Sequence, residues 1–429
     1  MEILGIDRIN GEIKIPGDKS ISHRSAMISA ILDKPVKIKN YLFSSDCIAT
    51  LEVLKDLGVD IAGNSSELVI KGCGISGLSE PRRILDVGNS GTAIRLLSGI
   101  LAGNPVMSVL SGDSSINRRP MARIIEPLKQ MGARVYGRNN SKYAPLVIFG
   151  TRDLRGKRFD PGLSSAQVKS CILLAALHAE GVTEIRQPGA SRDHTERMLE
   201  YLGASIEYDG MNTRIDPSKK LAAKDIHIPA DISSALFFIV AALILKDSNI
   251  TIKDVGINPT RSYALDVLRS MGADIEIRNR RTVCNEPVAD IEASSSSLKP
   301  AEIDRDMIPN IIDEIPILSV AASAAPGKTV FRGAQELRHK ESDRLKAISG
   351  QFARAGVDIK QLADGLEING KKDFKLRSCT TLDSMGDHRI AMSLAVLAMP
   401  SKKKVTILDD DCINTSLPGF KELFYSACR

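Results

Sequence analysis

The fold of this chain is decided by a short stretch, Leu54-Lys55-Asp56-Leu57-Gly58-Val59-Asp60-Ile61, which recurs four more times in modified form. Each copy joins the last apolar positions of an amphipathic helix to a glycine and then to a short run of alternating polarity. A glycine at that point typically takes the left-handed backbone conformation that ends a helix. The copies therefore predict five helix–glycine–strand junctions, at residues 54–61, 128–135, 199–206, 268–275 and 352–359.

A second recurring element lies between these junctions and consists of a polar start followed by small and apolar residues. A helix that is apolar on nearly all sides is buried inside its domain, as we expect for residues 166–177 and 233–245. Short stretches of alternating polarity between the helices predict strands. Each unit of about 70 residues therefore has the pattern βαβαββ, and we predict six such units. The polar starts of their buried helices lie near Asp18, Asn89, Ser164, Asp231, Asp313 and Asp387.

The N-terminal residues indicate how the six units are divided between domains. Residues 2–16 contain two strand-like stretches, Ile3–Ile6 and Glu12–Ile15, without a helix of their own, whereas the sixth unit lacks its final strands. We predict that the N-terminus completes the sixth unit, so that the chain starts in one domain, builds a second and returns. The prediction is an α/β protein with three units in each of two domains, a discontinuous one of residues 1–15 plus 226–429 and an inserted one of residues 16–225.

Composition excludes several classes of function. The chain has 429 residues, of which 43% are hydrophobic and 26% charged, as in ordinary globular proteins. The longest apolar run, residues 235–245, is shorter than the ~20 residues that span a membrane, and no secretory leader is visible. Aromatic residues make up only 4%, with no Trp, which leaves few surfaces for stacking bases. Seven cysteines without framework spacing predict reduced thiols and a cytoplasmic protein.

The starts of the buried helices carry cations that helix capping does not explain. Asp, Asn and Ser at these positions are ordinary N-caps. Lys19, Arg24, Arg95 and Arg389 are different, because a cation at a helix start opposes the helix dipole by about 0.3–1 kcal/mol. A bound anion reverses that penalty, since the free N–H groups of a helix N-terminus already favour negative charge. These cations and the mild net charge of +6 predict binding sites for small anionic ligands.

Two loops add further charged residues to this pattern. Residues 118–120 place two arginines before a proline, which suits the first position of a helix. Segment 338–345 combines three basic and two acidic side chains at another helix start. A solvated charged turn is one interpretation of that segment. The other is catalytic, because a glutamate between basic side chains, as at Glu341, is what general-acid catalysis next to a phosphate requires.

Seven motifs, in order over essentially the whole chain, resemble those of the 5-enolpyruvylshikimate-3-phosphate synthases, the family of 3-phosphoshikimate 1-carboxyvinyltransferases. This family has the enolpyruvyl transferase fold, a two-domain inverse α/β barrel of six βαβαββ repeats, three per domain, with the ligand cleft between the domains. The resemblance therefore implies the architecture that the repeats predict. The motifs are Asp18–Arg24, Gly88–Arg95, Arg119–Pro120, Ser165–Gln167, Ser191–His194, Lys340–Arg344 and Gly386–Arg389.

The resemblance implies a transferase of the shikimate pathway, which leads to chorismate and the aromatic amino acids. Such an enzyme transfers the enolpyruvyl group of phosphoenolpyruvate to the 5-hydroxyl of shikimate-3-phosphate and releases phosphate through a tetrahedral ketal intermediate. The implied partners are these two small-molecule substrates. We expect no cofactor, no metal, no nucleic acid and no membrane partner, and we expect a monomer.

The family's functional residues are carried over where the motifs match. Asp313 would accept the proton of the 5-hydroxyl, Glu341 would protonate C3 of the enolpyruvyl group, and Lys19 would stabilise charge as phosphate leaves. The implied shikimate-3-phosphate contacts are Lys19, Ser20, Arg24, Ser165, Ala166, Gln167, Ser191, Asp313 and Lys340. The implied phosphoenolpyruvate contacts are Lys19, Gly91, Arg119, Gln167, Arg344 and Arg389.

Two positions depart from the family pattern, and a third has a consequence for inhibition. Thr415 stands where many members have a lysine in a C-terminal Cys-x-x-Lys-x-x-Pro run, so that phosphoenolpyruvate contact is not carried over. Glu336 likewise stands where some members have an asparagine. Gly91 has no side chain, which leaves room beside the implied phosphoenolpyruvate site. We therefore expect glyphosate, the inhibitor known for this family, to compete there.

Two alternatives remain open at this point. The UDP-N-acetylglucosamine enolpyruvyl transferases share the fold, but they carry a cysteine in the loop before their Arg-Pro, and residues 112–119 contain none. A nucleic-acid-binding protein would instead use the basic runs Arg278–Arg281 and Lys402–Lys404. Its binding to nucleic acid would fall steeply with salt concentration.

Overall fold

The computed structural model describes residues 1–64, 67–372, 374, 376, 381–401 and 404–427. The chain is divided into two compact bodies, which we call unit 1 and unit 2. The six shorter units of the sequence pattern are called repeats from here on. Unit 1 consists of Met1–Pro16, Pro229–Arg281 and Pro287–Arg429, and unit 2 consists of Gly17–Ile228 and Thr282–Glu286. The chain therefore begins in unit 1, builds most of unit 2 and returns to unit 1 at Pro229.

Unit 2 contains three successive repeats of helices and short strands. Two strands of unit 1 precede it, β1 (Glu2–Ile3) and β2 (Asn10–Ile13). The first repeat comprises α1 (Lys19–Ala30), β3 (Pro35–Lys39), α2 (Ser45–Asp56), β4 (Asp60–Gly63) and β5 (Glu67–Lys71). The second comprises β6 (Leu85–Asp86), α3 (Gly91–Ala102), β7 (Met107–Ser111), a 3-10 turn (Ile116–Arg118), α4 (Ala122–Gln130), β8 (Arg134–Gly137), the short α5 (Arg138–Ser141) and β9 (Tyr143–Phe149). The third comprises β10 (Arg158–Phe159), α6 (Ala166–Ala176), β11 (Thr183–Arg186), α7 (His194–Tyr201), β12 (Ser205–Tyr208) and β13 (Asn212–Asp216), followed by β14 (Ile226–His227).

Unit 1 contains the other three repeats. The fourth comprises α8 (Ile232–Ile244), β15 (Asn249–Gly256), α9 (Pro259–Ser270), β16 (Asp274–Val283) and β17 (Glu286–Ser294). The fifth comprises β18 (Glu302–Ile303), the short α10 (Ile308–Ile311), α11 (Ile315–Ala324), β19 (Gly327–Phe331), a 3-10 turn (Gln335–His339), α12 (Arg344–Ala355), β20 (Asp358–Gln361) and β21 (Leu366–Gly370). The sixth comprises β22 (Thr381–Asp383), α13 (His388–Ala398), β23 (Val405–Leu408), a 3-10 turn (Asp410–Thr415) and α14 (Phe420–Ser426).

The recurring glycine ends a helix at all five predicted places. These glycines have φ values between +86° and +107°, in the region that residues with a side chain rarely adopt. A strand begins two residues after each of them, at Asp60, Arg134, Ser205, Asp274 and Asp358. The predicted helix–glycine–strand junctions are therefore confirmed.

Six small sheets correspond to the six repeats. Five of them have four strands, and the sheet of the sixth repeat has three among the residues described. In the first sheet, β3 pairs in parallel with β14 and antiparallel with β5, which pairs antiparallel with β4. The sheets of the second, third and fifth repeats have the same arrangement. The predicted α/β class with six βαβαββ repeats is confirmed.

The N-terminal strands join two different repeats, and the prediction that both complete the sixth is wrong. The first strand does so, since β1 pairs antiparallel with β23. The second strand spans Asn10–Ile13 rather than Glu12–Ile15 and pairs in parallel with β15 of the fourth repeat. The reason is topological. In the second, third, fifth and sixth sheets, the parallel strand lies directly before the first helix of the repeat. The first and fourth sheets exchange these strands, because β2 precedes α1 but pairs with β15 of the fourth repeat, and β14 precedes α8 but pairs with β3 of the first.

Each unit has an apolar core in which one helix of every repeat is buried. The core of unit 1 surrounds α8, α11 and α13, and that of unit 2 surrounds α1, α3 and α6. The two helices predicted to be buried are confirmed, because Ile232–Leu243 and Val168–Ala176 are buried without a break. No helix among the described residues is long and apolar enough to cross a membrane.

Candidate active site

The buried helices of each unit begin at polar residues, most of which act as caps. The carboxylates of Asp18, Asp231 and Asp387 accept hydrogen bonds from backbone N–H groups at the starts of α1, α8 and α13. Ser90 and Ser165 cap α3 and α6 in the same way. The capping predicted for Asn89 and Ser164 is therefore wrong by one residue at each helix. The side chains of those two residues bind loop groups instead, Asp113 for Asn89 and the carbonyl of Gly189 for Ser164.

Lys19, the predicted catalytic lysine, is the first residue of α1 and forms an ion pair with Asp46. Its Nζ lies 2.5 Å from Asp46 Oδ2. The lysine side chain is 22% exposed and the carboxylate 9%. The partially buried ion pair holds the ammonium group at the helix start, where an anionic ligand also binds well. Sequence reasoning did not find Asp46, because its role depends on a contact between α1 and α2.

His23 links α1 to α2 and to the start of α3. The buried imidazole has Nδ1 2.8 Å from Thr50 Oγ1 and Nε2 3.4 Å from Ser90 Oγ. Burial, helped by the charges of Lys19 and Arg24, lowers the pKa of His23 well below its usual range. The imidazole is therefore neutral near pH 7 and adds no positive charge to this helix start.

Two guanidinium groups converge on Gly91 at the start of α3. Arg119 Nη2 donates to Asn89 Oδ1 at 3.1 Å, and Arg95 Nη1 lies 2.5 Å from Gln167 Oε1. A Cβ added to Gly91 would lie 2.8 Å from Arg119 Nη1 and 3.0 Å from Arg95 Nη1. The structure thus brings together the predicted phosphoenolpyruvate contacts Gly91, Arg119 and Gln167. Arg95 joins them, and its position one helical turn after Gly91 is the sequence signal that could have assigned it there.

Arg24 fixes the start of α1 against α6 and α7. It is almost fully buried. Its Nε donates to Thr195 Oγ1 at 2.6 Å, and its Nη2 donates to Ser170 Oγ at 3.0 Å. Its Nη1 donates to the carbonyl of Ser20, another predicted contact, at 3.0 Å. Ala166, the first residue of α6, follows the cap Ser165 directly.

Gln187 holds the predicted contacts Ser165 and Ser191 near each other. Its Nε2 donates to the carbonyl of Ser165 at 3.1 Å, and its Oε1 accepts from Ser191 Oγ at 2.6 Å. The carbonyl of Ser191 also accepts from Lys169 Nζ at 3.3 Å. Lys169 pairs with Glu196 at 2.5 Å, and both side chains are only 1% exposed. No sequence motif marks these supporting residues, because each belongs to an otherwise ordinary helix or strand end.

We call six residues of unit 1 the unit 1 cluster: Asp313, Lys340, Glu341, Arg344, Asp387 and Arg389. Within it, Arg344 contacts three carboxylates. Its Nε lies 2.7 Å from Asp387 Oδ2 and its Nη2 lies 2.7 Å from Glu341 Oε2. Its Nη1 lies 3.3 Å from Asp313 Oδ1, to which Lys340 Nζ also binds at 3.0 Å. Burial opposes the guanidinium charge, but Asp387, Glu341 and Asp313 together outweigh it and raise the pKa of Arg344 above its usual range.

Segment 338–345 is therefore a built cluster and not a solvated charged turn. A 3-10 turn ends at His339, and α12 begins at Arg344, with Asp343 as its cap. Arg389 completes the cluster, because its Nη1 donates to the carbonyl of Asp313 at 2.8 Å. Asp387 was not assigned a role from the sequence, although it lies inside the Gly386–Arg389 motif.

Two arginines of the first basic run that favoured nucleic-acid binding are paired with acids. On the exposed strand β16, Arg278 pairs with Glu276 and Glu292, and Arg281 pairs with Asp254 and Asp290. Lys402 and Lys403 lie outside the described residues. The pairing offsets the charge of Arg278 and Arg281, which counts against that alternative.

Thr415 lies in the 3-10 turn Asp410–Thr415, where its Oγ1 donates to the carbonyl of Cys412 at 2.8 Å. The hydroxyl thus caps its own turn. Among the described residues, no three His, Cys, Asp or Glu side chains come together in a way that could hold a metal ion.

Comparison with known proteins assigns the chain to a family. The model of the EPSP synthase family (3-phosphoshikimate 1-carboxyvinyltransferase) matches residues 3–424. The chain is 46% identical over 426 residues to the 3-phosphoshikimate 1-carboxyvinyltransferase of Petrotoga mobilis, covering 99% of this chain and 98% of that protein. It is 48% identical over 415 residues to the protein of the same name from Citrifermentans bemidjiense, covering 97% and 96%.

Solved structures agree with this assignment. The EPSP synthase from Acinetobacter baumannii has a TM-score of 0.89 at 40% identity and covers 99% of this chain and 97% of that one. The enolpyruvyl transferase NikO from Streptomyces tendae has a TM-score of 0.80 at 18% identity, with coverage of 99% and 96%, and supports the fold alone. The predicted enolpyruvyl transferase fold and the family resemblance are both confirmed, and the sugar-nucleotide alternative is not supported. The chain therefore belongs to the EPSP synthase family, the 3-phosphoshikimate 1-carboxyvinyltransferases.

Proposed function

We propose that this chain transfers the enolpyruvyl group of phosphoenolpyruvate to the 5-hydroxyl of shikimate-3-phosphate, and that the residues described above carry out the reaction. The observation that carries the proposal is the attachment of two carboxylates, Asp313 and Glu341, to one buried guanidinium, that of Arg344. An addition followed by an elimination needs both a base and an acid next to the reacting carbons. Arg344 holds the two carboxylates in fixed positions.

Phosphoenolpyruvate binds through arginines in this proposal. The assigned groups are Arg119, Arg344 and Arg389, and Lys19 is assigned to the bond that breaks. Guanidinium groups suit a ligand that carries both a carboxylate and a phosphate, because they can form paired hydrogen bonds with either. They supply orientation and electrostatic stabilisation and take no covalent part.

Asp313 acts as the base toward the 5-hydroxyl. Its Oδ1 lies 3.0 Å from Lys340 Nζ and 3.3 Å from Arg344 Nη1, and both cations favour the carboxylate form. The phosphate of shikimate-3-phosphate competes for Lys340 when it binds. That competition removes part of the positive charge around Asp313 and makes it a stronger base once the acceptor is bound.

Glu341 acts as the acid toward C3 of phosphoenolpyruvate. Its Oε2 lies 2.7 Å from Arg344 Nη2, and the substrate's negative charges compete for the same guanidinium. Glu341 passes a proton to C3 while the 5-hydroxyl oxygen bonds to C2 and Asp313 takes the hydroxyl proton, which gives the tetrahedral ketal phosphate. In the elimination, Glu341 takes a proton back from C3 and the C2–O bond to phosphate breaks, and the proton held by Asp313 leaves with the released hydrogen phosphate. Lys19 stabilises the leaving oxygen.

The location and assembly of the enzyme are part of the same proposal. We propose a monomer in the cytoplasm, because every assigned group lies on one chain. The cysteines Cys47, Cys73, Cys171, Cys284 and Cys412 are thiols, as in a reducing compartment. Size-exclusion chromatography with light scattering would contradict the proposed monomer if it gave the mass of a dimer.

Release of phosphate tests the proposed reaction. The purified protein is incubated with phosphoenolpyruvate and shikimate-3-phosphate together, with each alone, and with UDP-N-acetylglucosamine in place of the acceptor. We expect release only with the first pair. Release with the sugar nucleotide, or with phosphoenolpyruvate alone at a similar rate, would contradict the proposal.

A further inference from the structure

Glu314 is a buried carboxylate that the reaction described above does not use. It follows Asp313 directly and precedes α11, and its side chain is 0% exposed. Its Oε1 accepts a hydrogen bond from Ser233 Oγ at 2.6 Å and lies 3.4 Å from Arg389 Nη1. None of the described residues donates a hydrogen bond to its Oε2. A carboxylate buried with half of its acceptors unfilled is costly, which points to a role beyond folding.

Ser233, which donates to Glu314, is itself held by a chain of hydrogen bonds. Ser233 Oγ accepts from Arg261 Nη2 at 2.7 Å, and the same Nη2 lies 3.2 Å from Asp231 Oδ1. All three residues are buried. They join the start of α8 to α9, and Glu314 extends the chain to the start of α11. The serine hydroxyl, held by Arg261, therefore directs its own proton to Glu314 and sets the orientation of that carboxylate.

The second partner of Glu314 is Arg389, which is assigned to phosphoenolpyruvate binding. In the part of the chain that the structure describes, the hydrogen bonds of this guanidinium all use Nη1, toward the carbonyl of Asp313 and Oε1 of Glu314. The side chain of Arg389 is 14% exposed. With the Nη1 corner held by the protein, the Nε–Nη2 edge is presented for a pair of hydrogen bonds to a planar or tetrahedral anion.

We propose that Glu314 is a positioning residue, which holds Arg389 so that its Nε–Nη2 edge meets an anionic group of phosphoenolpyruvate. Glu314 itself does not touch the substrate. The inference rests on the proposed function, because it assumes that Arg389 binds phosphoenolpyruvate. It also explains why the acid directly beside Asp313 is buried. Two adjacent residues then have separate roles: Asp313 is the base, and Glu314 positions Arg389.

Two variants at position 314 separate the effect of side-chain length from the effect of the carboxylate charge. Glu314→Asp keeps the acid but shortens the side chain by one methylene, so the carboxylate cannot reach both Ser233 and Arg389. Glu314→Gln keeps the reach and one acceptor oxygen but removes the charge. We expect Glu314→Asp to raise KM for phosphoenolpyruvate about tenfold, the equivalent of one lost charge-assisted hydrogen bond, with kcat within about threefold. We expect Glu314→Gln to stay within about threefold in KM.

A second variant covers the case in which Glu314→Asp does not fold. Ser233→Ala removes the hydroxyl that orients Oε1, and we expect it to raise KM for phosphoenolpyruvate about three- to tenfold. Ser319→Ala is the matched control, because Ser319 is buried on α11 and its Oγ donates only within the helix, to the carbonyl of Ile315. We expect no kinetic change for the control and no change of KM for shikimate-3-phosphate in any variant.

The outcomes divide clearly. A rise of KM confined to phosphoenolpyruvate in Glu314→Asp or Ser233→Ala supports the inference, because a structural defect would lower the active fraction and leave KM unchanged. Unchanged KM in folded Glu314→Asp, or in Ser233→Ala where the first does not fold, would overturn it. An effect equal for both substrates would overturn it as well. Failure of the proposed function shows instead in the wild-type protein, as absent phosphate release, and would overturn both.

Discussion

Replacing Gly91 by alanine tests the space beside the two guanidinium groups of α3. The new Cβ would lie 2.8 Å from Arg119 Nη1 and 3.0 Å from Arg95 Nη1, where ordinary contacts begin near 3.4 Å. Both atoms are the ends of flexible side chains, so the guanidinium groups can move aside by about 0.5 Å without backbone strain. The substitution should therefore leave the fold intact and displace the arginine assigned to phosphoenolpyruvate.

The substitution should affect stability and substrate affinity differently. Alanine is better than glycine inside a helix by about 1 kcal/mol, and Gly91 is the first residue of α3, so stability should stay equal or rise slightly. A misaligned arginine loses about one charge-assisted hydrogen bond to the substrate, which corresponds to about a tenfold change in affinity. We expect KM for phosphoenolpyruvate to rise about tenfold, with kcat and KM for shikimate-3-phosphate within about threefold.

Steady-state kinetics and urea unfolding check this prediction against two matched glycine-to-alanine controls. Gly350 lies inside α12, and a Cβ there would meet nothing within 4 Å, so Gly350→Ala should leave the kinetics unchanged. Gly99 lies in α3, and a Cβ there would lie 2.2 Å from the carbonyl oxygen of Cys171, which is backbone and cannot move aside. Gly99→Ala should therefore lose stability. Unchanged KM for phosphoenolpyruvate in Gly91→Ala, or a stability loss as large as that of Gly99→Ala, would refute the reasoning.

Four further measurements test separate parts of the account. Lys19→Ala, Asp313→Ala and Glu341→Ala should each lower kcat at least about 100-fold while remaining folded, and near-normal phosphate release from any of them would reject its assigned role. Arg344→Met leaves three carboxylates without their shared cation and should lower the free energy of unfolding by about 3–5 kcal/mol in urea; a loss below about 1 kcal/mol would contradict this. Burial lowers the pKa of His178 from 6.5 to about 4, so its neutral form stabilises the fold above pH 6.5 and that contribution is lost as the pH falls. Between pH 7 and pH 4 the wild type should lose on the order of 3 kcal/mol more than His178→Leu, and equal losses would count against burial as the cause. Glyphosate at millimolar concentration should raise the apparent KM for phosphoenolpyruvate, and unchanged kinetics would argue against the room assigned to Gly91.

The repeating architecture could be predicted because its signals are local. A glycine with positive φ after an apolar helix face is specified by the residues next to it, and Gly58 and Gly356 illustrate this in different units. The destination of β2 could not be predicted in this way. Its strand pattern is visible in the sequence, but its partner β15 lies more than 200 residues away, and only the path of the chain between the units decides that pairing.

The residues of the candidate site also fall into those that a local sequence signal indicates and those that depend on contacts with other elements. Lys19, Arg24, Arg95 and Arg389 were predicted as anion-binding groups from their conflict with the helix dipole. The roles of Arg344, Lys340 and Asp313 came from the family resemblance, and the structure shows that both cations contact that aspartate. The supporting residues were missed, because Asp46 and Glu314 act through side chains of other elements. Capping residues were misplaced by one where two polar residues are adjacent, since backbone geometry alone decides which of them caps the helix.

Deuterium incorporation tests the central claim, addition followed by elimination at C2 and C3, most directly. The wild-type protein converts phosphoenolpyruvate and shikimate-3-phosphate in D2O, and the product is analysed by mass spectrometry. If Glu341 delivers a solvent-derived deuteron to C3, the intermediate carries a methyl group with one deuterium, and about two thirds of the product should retain it in the methylene group. A fully active enzyme whose product contains no deuterium at C3 would contradict the account.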